Sequence, residues 1–122
     1  MQKCWLVLGE IFYHHEATDF LEPITAETLG SKEWFEDYCA VIQTPMDIST
    51  MIERMKSNYY MDECDNHAFE AKDMFIADMM LIFNNCRNFN QKGSEIVKSA
   101  NRLTNEFRQK MSNYGLWTSS KR

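Results

Sequence analysis

The residues able to do chemistry in this chain fall into three groups. Cys64 and His67 stand three apart with Asp62 and Asp65 beside them, a spacing a zinc site can use. Such a site needs a second ligand pair at similar spacing, and none follows. His14 and His15 are adjacent; on a helix their side chains would point about 100° apart. A thiol enzyme needs a cysteine, a base and an orienting carboxylate brought together. Of Cys4, Cys39, Cys64 and Cys86, Cys4 and Cys86 fall on apolar stripes, where a small buried hydrophobe is the ordinary role. Cys39 lies in an aromatic segment and is the candidate exposed thiol. No G-x-S-x-G, P-loop or G-x-G-x-x-G occurs. The sequence therefore assigns no catalytic residue, no metal and no cofactor, and points away from an enzyme. The third group is the run Asn84-Asn85-Cys86-Arg87-Asn88-Phe89-Asn90-Gln91-Lys92-Gly93-Ser94-Glu95-Ile96. Turn formers at a helix end explain some of these asparagines. They do not explain an amide, Asn90, bracketed by Phe89 and Ile96. One strong polar group in an apolar setting suits recognition of a neutral hydrogen-bonding ligand.

The elements that must hold Asn90 follow from hydrophobic spacing. Cys4, Val7, Leu8, Ile11 and Phe12 form one stripe. Ile48, Met51, Ile52 and Met55 form a second behind Asp47, a helix cap. Phe75, Met79, Ile82, Phe83 and Cys86 share a third face. Val97, Ala100, Leu103, Phe107, Met111 and Tyr114 make a fourth after Gly93-Ser94. Each stripe is apolar on one side only, so the four helices pack on one another as an all-α bundle. The first connection, about 18–46, is long and carries Phe20, Leu21, Ile24, Leu29, Trp34, Phe35, Tyr38, Val41 and Ile42. That is too apolar for a disordered linker. It reads as an ordered loop with a short helix near Trp34–Tyr38, the place to expect a site. The second connection, about 58–67, is acidic and reads as a solvated excursion.

At 122 residues the chain is expected to be one domain, 1–122, with its core at about 3–116. Eighteen acidic residues against 13 basic give −5, which argues against direct nucleic-acid binding and suits a basic partner. From Glu16 to Tyr38 there are seven acids (Glu16, Asp19, Glu22, Glu27, Glu33, Glu36, Asp37) against Lys32, a local −6 that exceeds the charge of the whole chain. The apolar run Trp5–Leu8 is too short to cross a membrane. Without CxxC pairs or a secretory segment, reduced thiols inside the cell are expected.

Read in order, several short motifs resemble a bromodomain, closest to those that accompany histone acetyltransferases. They are Phe20-Leu21-Glu22-Pro23-Ile24, Tyr38, Pro45-Met46-Asp47-Ile48-Ser49-Thr50-Met51, Tyr59-Tyr60, Phe75-Ile76-Ala77-Asp78-Met79, Ile82-Phe83-Asn84-Asn85-Cys86-Arg87, Phe89-Asn90 and Gly93-Ser94-Glu95. The resemblance runs from the first helix to about Leu116. It implies a left-handed, antiparallel four-helix bundle whose two loops at one end form an acetyl-lysine pocket. On matching positions, Asn90 donates its amide to the acetyl carbonyl and Tyr38 reaches the same carbonyl through a water. Phe20 and Ile24 wall the pocket, Phe89 stands where the family usually has a tyrosine, and Ile96 is the gatekeeper. Asp19, Glu22 and Cys39 fall on the peptide rim. The implied partner is an acetylated histone tail, read in the nucleus by a monomeric module of a larger protein or complex. The chain departs from the family at Thr18-Asp19-Phe20, where many members have Trp-Pro-Phe, at Cys39, often a second tyrosine, and in two longer connections. The alternative is a bundle of this fold, altered at the pocket, that serves as an interaction scaffold without binding acetyl-lysine.

Overall fold

The computed structural model describes residues 1–67 and 70–117, the side chains of 65–69 excepted. Among them are seven helices and no strand: α1 (Gln2–Phe12), α2 (Ala26–Leu29), α3 (Lys32–Val41), α4 (Ile48–Lys56), α5 (Tyr59–His67), α6 (Ala71–Phe89) and α7 (Glu95–Asn113), with a 3₁₀ turn at Thr18–Phe20. The four apolar stripes read from the sequence are α1, α4, α6 and α7. Neighbours pack α6 on α7, α7 on α1, α1 on α4 and α4 on α6, closing a ring. Their inward faces bury Val7, Leu8 and Ile11 from α1, Met51 from α4, Phe75, Met79 and Phe83 from α6, and Leu103, Phe107 and Met111 from α7. Burying each such side chain contributes about 1.5–3 kcal/mol, and this is what holds the bundle.

The long first connection is ordered, as its apolar content requires. Thr25 and Thr28 form a reciprocal cap at the start of α2, and Gly30 (φ 73°) ends it in the left-handed region. The Ser31 hydroxyl then accepts the Trp34 N–H at 3.2 Å to start α3, which is longer than the short helix the sequence suggests. Three ties seat this segment on the bundle. Phe20 meets Phe83 edge to face with centroids 5.9 Å apart. The Ser49 N–H donates to the Leu21 carbonyl at 2.8 Å. The Asn85 amide donates to the Thr44 carbonyl at 2.8 Å. Asp47 caps α4 as expected, accepting the Thr50 N–H at 3.0 Å.

The second connection is not the solvated excursion its acidity suggests. Most of it is α5, which begins just after Asn58, at φ 62°, ends the turn following α4. The physical reason is a buried aromatic anchor. Tyr60 is 1% exposed, stacks edge-on against Phe75, and donates its hydroxyl to Asp78 at 2.6 Å. A single buried aromatic leaves no periodic stripe in the sequence, yet docks the helix.

Candidate functional site

Asn90 is the residue that stops α6, with extended backbone (φ −96°, ψ 157°) and its N–H still bonded to the Cys86 carbonyl at 3.0 Å. Its side-chain amide also donates to that carbonyl, at 3.0 Å. An Asn amide has two N–H donors. The second meets only the Cys86 sulfur, at 3.7 Å, a weak acceptor. Asn90 thus stands as a fixed donor at a helix end.

The amide opens into a cleft lined by Asp19, Phe20, Glu22, Ile24, Tyr38, Met46, Ile82, Asn85, Cys86, Asn90 and Ile96. The long loop supplies one wall, α6 the floor, and the start of α7 the other wall. The slot is narrow: water centres can occupy ≈ 30 Å³ of it, room for about two molecules. Tyr38 is buried, and no protein group hydrogen-bonds its hydroxyl among the described residues. Burial pushes that hydroxyl above its ordinary pKa of 10, with smaller contributions from neighbouring Cys39, Cys86 and Asp47. It therefore remains a neutral donor throughout the physiological range.

Seven of the nine residues singled out from the sequence line the cleft: Asn90, Tyr38, Phe20, Ile24, Ile96, Asp19 and Glu22. Phe89 does not. It stands behind Tyr38, rings edge to face with centroids 5.0 Å apart, so it sets the tyrosine's position rather than the wall. Cys39 is exposed and also lies outside the lining, because one residue on from Tyr38 turns it about 100° around α3. Sequence reasoning missed Met46, Ile82, Asn85 and Cys86 as lining residues. Asn85 carried a usable signal, a carboxamide on the apolar face of a long helix.

The remaining chemical groups resolve differently from the sequence reading. His14 and His15 follow the end of α1 instead of lying on it, and their rings stack 4.6 Å apart. With Glu16 they bring three ligand atoms within 4.8 Å of one another. Both inner groups already have partners, however. His14 Nδ1 accepts the Glu16 N–H at 3.1 Å, and the Glu16 carboxylate is gripped by the Arg102 guanidinium, with Nε 2.6 Å from Oε2. His67, the second half of the Cys64 pairing, has its side chain outside the described residues. Burial pushes the thiols of Cys4 and Cys86 up, the largest effect on each, which disfavours the thiolate that nucleophilic chemistry needs. A wider cavity of ≈ 300 Å³ lies at the other end of α4, among Trp5, Arg54, Met55, Lys56, Tyr60 and Met61. Volume alone does not make a recognition site. Methionines and the long stems of Arg54 and Lys56 frame this one, whereas the Asn90 amide is held by a backbone carbonyl.

The fold is an all-helical bundle with a narrow cleft beside Asn90 at one end. Comparison with known proteins gives the same class: the bromodomain family model matches residues 4–102. The chain belongs to the bromodomain family, whose members are acetyl-lysine-binding modules and not catalytic domains. It is 35% identical over 107 residues to "Tyrosine-protein kinase BAZ1B" of Danio rerio, covering 88% of this chain and 6% of that protein. It is 34% identical over 97 residues to "Histone acetyltransferase GCN5" of Debaryomyces hansenii, covering 80% of this chain and 18% of that protein. The chain thus spans a small fraction of the relatives it matches. Among the described residues no helix is long and apolar enough to cross a membrane.

Proposed function

We propose that the chain binds acetylated lysine, in histone tails or other acetylated proteins, and so retains a chromatin-associated complex in the nucleus. The carrying observation is the second Asn90 N–H, left open above an apolar slot while the first is tied to the Cys86 carbonyl. Unmodified lysine brings a charge, and moving it into such a slot without an acceptor costs several kcal/mol. Acetylation removes the charge and leaves a carbonyl acceptor and a methyl group. Asn90 donates to the carbonyl, the Tyr38 hydroxyl reaches it through a bridging water, and Phe20, Ile24 and Ile96 cover the methyl and stem. Phe89 acts through Tyr38. Asp19 and Glu22, both exposed on the cleft wall, meet the peptide at the rim; Cys39 stands at its outer edge. In this reading residues 1–122 are one module of a larger protein, acting as a monomer, with no contact to nucleic acid or membrane.

Leaving an amide unpaired in a slot costs roughly 1–3 kcal/mol, so Asn90→Ala should weaken binding of an acetylated histone peptide by about ten- to a hundredfold. Calorimetric titration of acetylated and unacetylated peptides checks this. Binding indifferent to acetylation, or unchanged in Asn90→Ala, rejects the reading. It would favour the scaffold alternative, which the narrowness of the slot and the carboxylate of Asp19 on its wall support.

A further inference from the structure

Seven acidic side chains fall between Glu16 and Tyr38, but they are not equivalent. Glu16 is neutralised by Arg102 and serves to pin the end of α1 to α7. The other six carboxylates have no hydrogen-bond or ion-pair partner among the described residues. Half of them, Glu33, Glu36 and Asp37, are on α3, and on the same helix Trp34 and Val41 are 61% and 53% exposed. The same helix thus carries an open indole and three acids without ion-pair partners among the described residues.

The arrangement around α3 orders these groups. At about 100° per residue, Trp34 and Val41 fall within about 20° of each other, seven residues and about 10 Å apart along the axis. Tyr38 lies about 40° to one side of Trp34 and Asp37 about 60° to the other, with Glu33 beyond it. The apolar row therefore neighbours Tyr38 on one flank and Asp37 and Glu33 on the other. Lys32 and Glu36 lie together on the far side of the helix.

We propose that this face of α3 docks a basic stretch of the same polypeptide that carries the acetylated lysine. The occupant is set by charge complementarity: Arg or Lys side chains stack on the Trp34 ring and pair with Asp37 and Glu33, while their aliphatic stems cover Val41. The face is continuous with the cleft through Tyr38. The identity of the occupant as part of the acetylated chain rests on the acetyl-lysine reading; its basic character does not.

The test uses four peptides of equal length: acetylated or unacetylated at a central lysine, each with Lys/Arg flanks or with Ser/Gly flanks. These are titrated against the wild-type chain, Asn90→Ala and the double variant Trp34→Ala, Asp37→Asn, whose exposed positions should leave helical circular dichroism unchanged. Basic flanks should bind about fivefold tighter than neutral ones at low salt, the margin shrinking at high salt. The double variant should remove that margin and leave affinity for the neutral-flanked acetylated peptide unaltered, while Asn90→Ala should keep the margin. No flank preference in the wild type, or full preference in the double variant, overturns the proposal. If acetylation adds nothing to affinity, the pocket reading fails separately, and a flank margin lost in the double variant still upholds the docking face.

Discussion

The far end of the bundle and the cleft end are built from similar residues but treat their polar groups in opposite ways. At the far end Asp78 accepts the Tyr60 hydroxyl at 2.6 Å and the Arg54 guanidinium at 2.7 Å, and Arg54 also covers the Tyr59 ring at 4.3 Å. Burial first, then the bond to Asp78, pushes the Tyr60 hydroxyl far above its ordinary pKa, so it stays a donor. The buried hydroxyl, the carboxylate and the guanidinium of this cluster all satisfy one another. At the cleft end the Tyr38 hydroxyl and the second Asn90 N–H have none, or only a weak one. The Ser94 hydroxyl, just before Ile96, is fully enclosed and has no partner among the described residues. Saturated polar groups stabilise a fold. Polar groups left open, at a cost, are what a binding surface keeps for its ligand.

Three substitutions probe that contrast. The largest effect should come from the shared core. Phe107, fully buried and 6.0 Å by centroids from Phe75, leaves a cavity when truncated. Phe107→Ala should cost about 3–5 kcal/mol, read as a lower midpoint in urea. Next is the saturated end: Asp78→Ala strands the Tyr60 hydroxyl and should cost roughly 1–3 kcal/mol in the same measurement, with peptide affinity unchanged in the folded protein. If Asp78→Ala instead altered peptide binding with no loss of stability, the division of labour between the two ends would be wrong. The smallest effect belongs to the open end. Tyr38→Phe removes a hydroxyl with no protein partner, so stability should shift by less than about 0.5 kcal/mol while acetyl-peptide affinity falls a few-fold. Because the folded-state pKa of Tyr38 is raised, its neutral form persists above pH 10. Affinity should therefore show no step from Tyr38 between pH 6 and 9, and a titrating loss in that window that vanishes in Tyr38→Phe would contradict this.

The four bundle helices were legible because burial on one face writes a three-to-four-residue period into the chain. Ile48-Met51-Ile52-Met55 and Val97-Ala100-Leu103-Phe107-Met111 could be nothing else at this length. Asp47 as a cap was legible for a related reason, a local hydrogen bond that needs no tertiary partner. α5 was not, because Tyr60, its one fully buried side chain among the described residues, makes no periodic stripe, and its acidic remainder looks like a loop. The pairing of His14 and His15 was misjudged for want of the helix end: stacked rings need the backbone turn that follows Phe12.

The candidate site divides along the same line. The types of its groups, an amide after a long helix, a loop tyrosine and apolar walls, were set by the sequence and by the order of its motifs. Which of them meet was decided by tertiary contacts: Ser49 holding the Leu21 carbonyl, Asn85 holding Thr44, and Phe20 seated on Phe83. Those contacts turn Phe89 into a support for Tyr38, leave Cys39 in solvent, and bring Met46 and Ile82 into the wall. Charge divides likewise. The sequence determined that 16–38 is acidic, but only the fold paired Glu16 with Arg102 and left α3 uncompensated. An ion pair across 86 positions of chain leaves no local pattern to read, whereas burial of one helix face repeats at every turn.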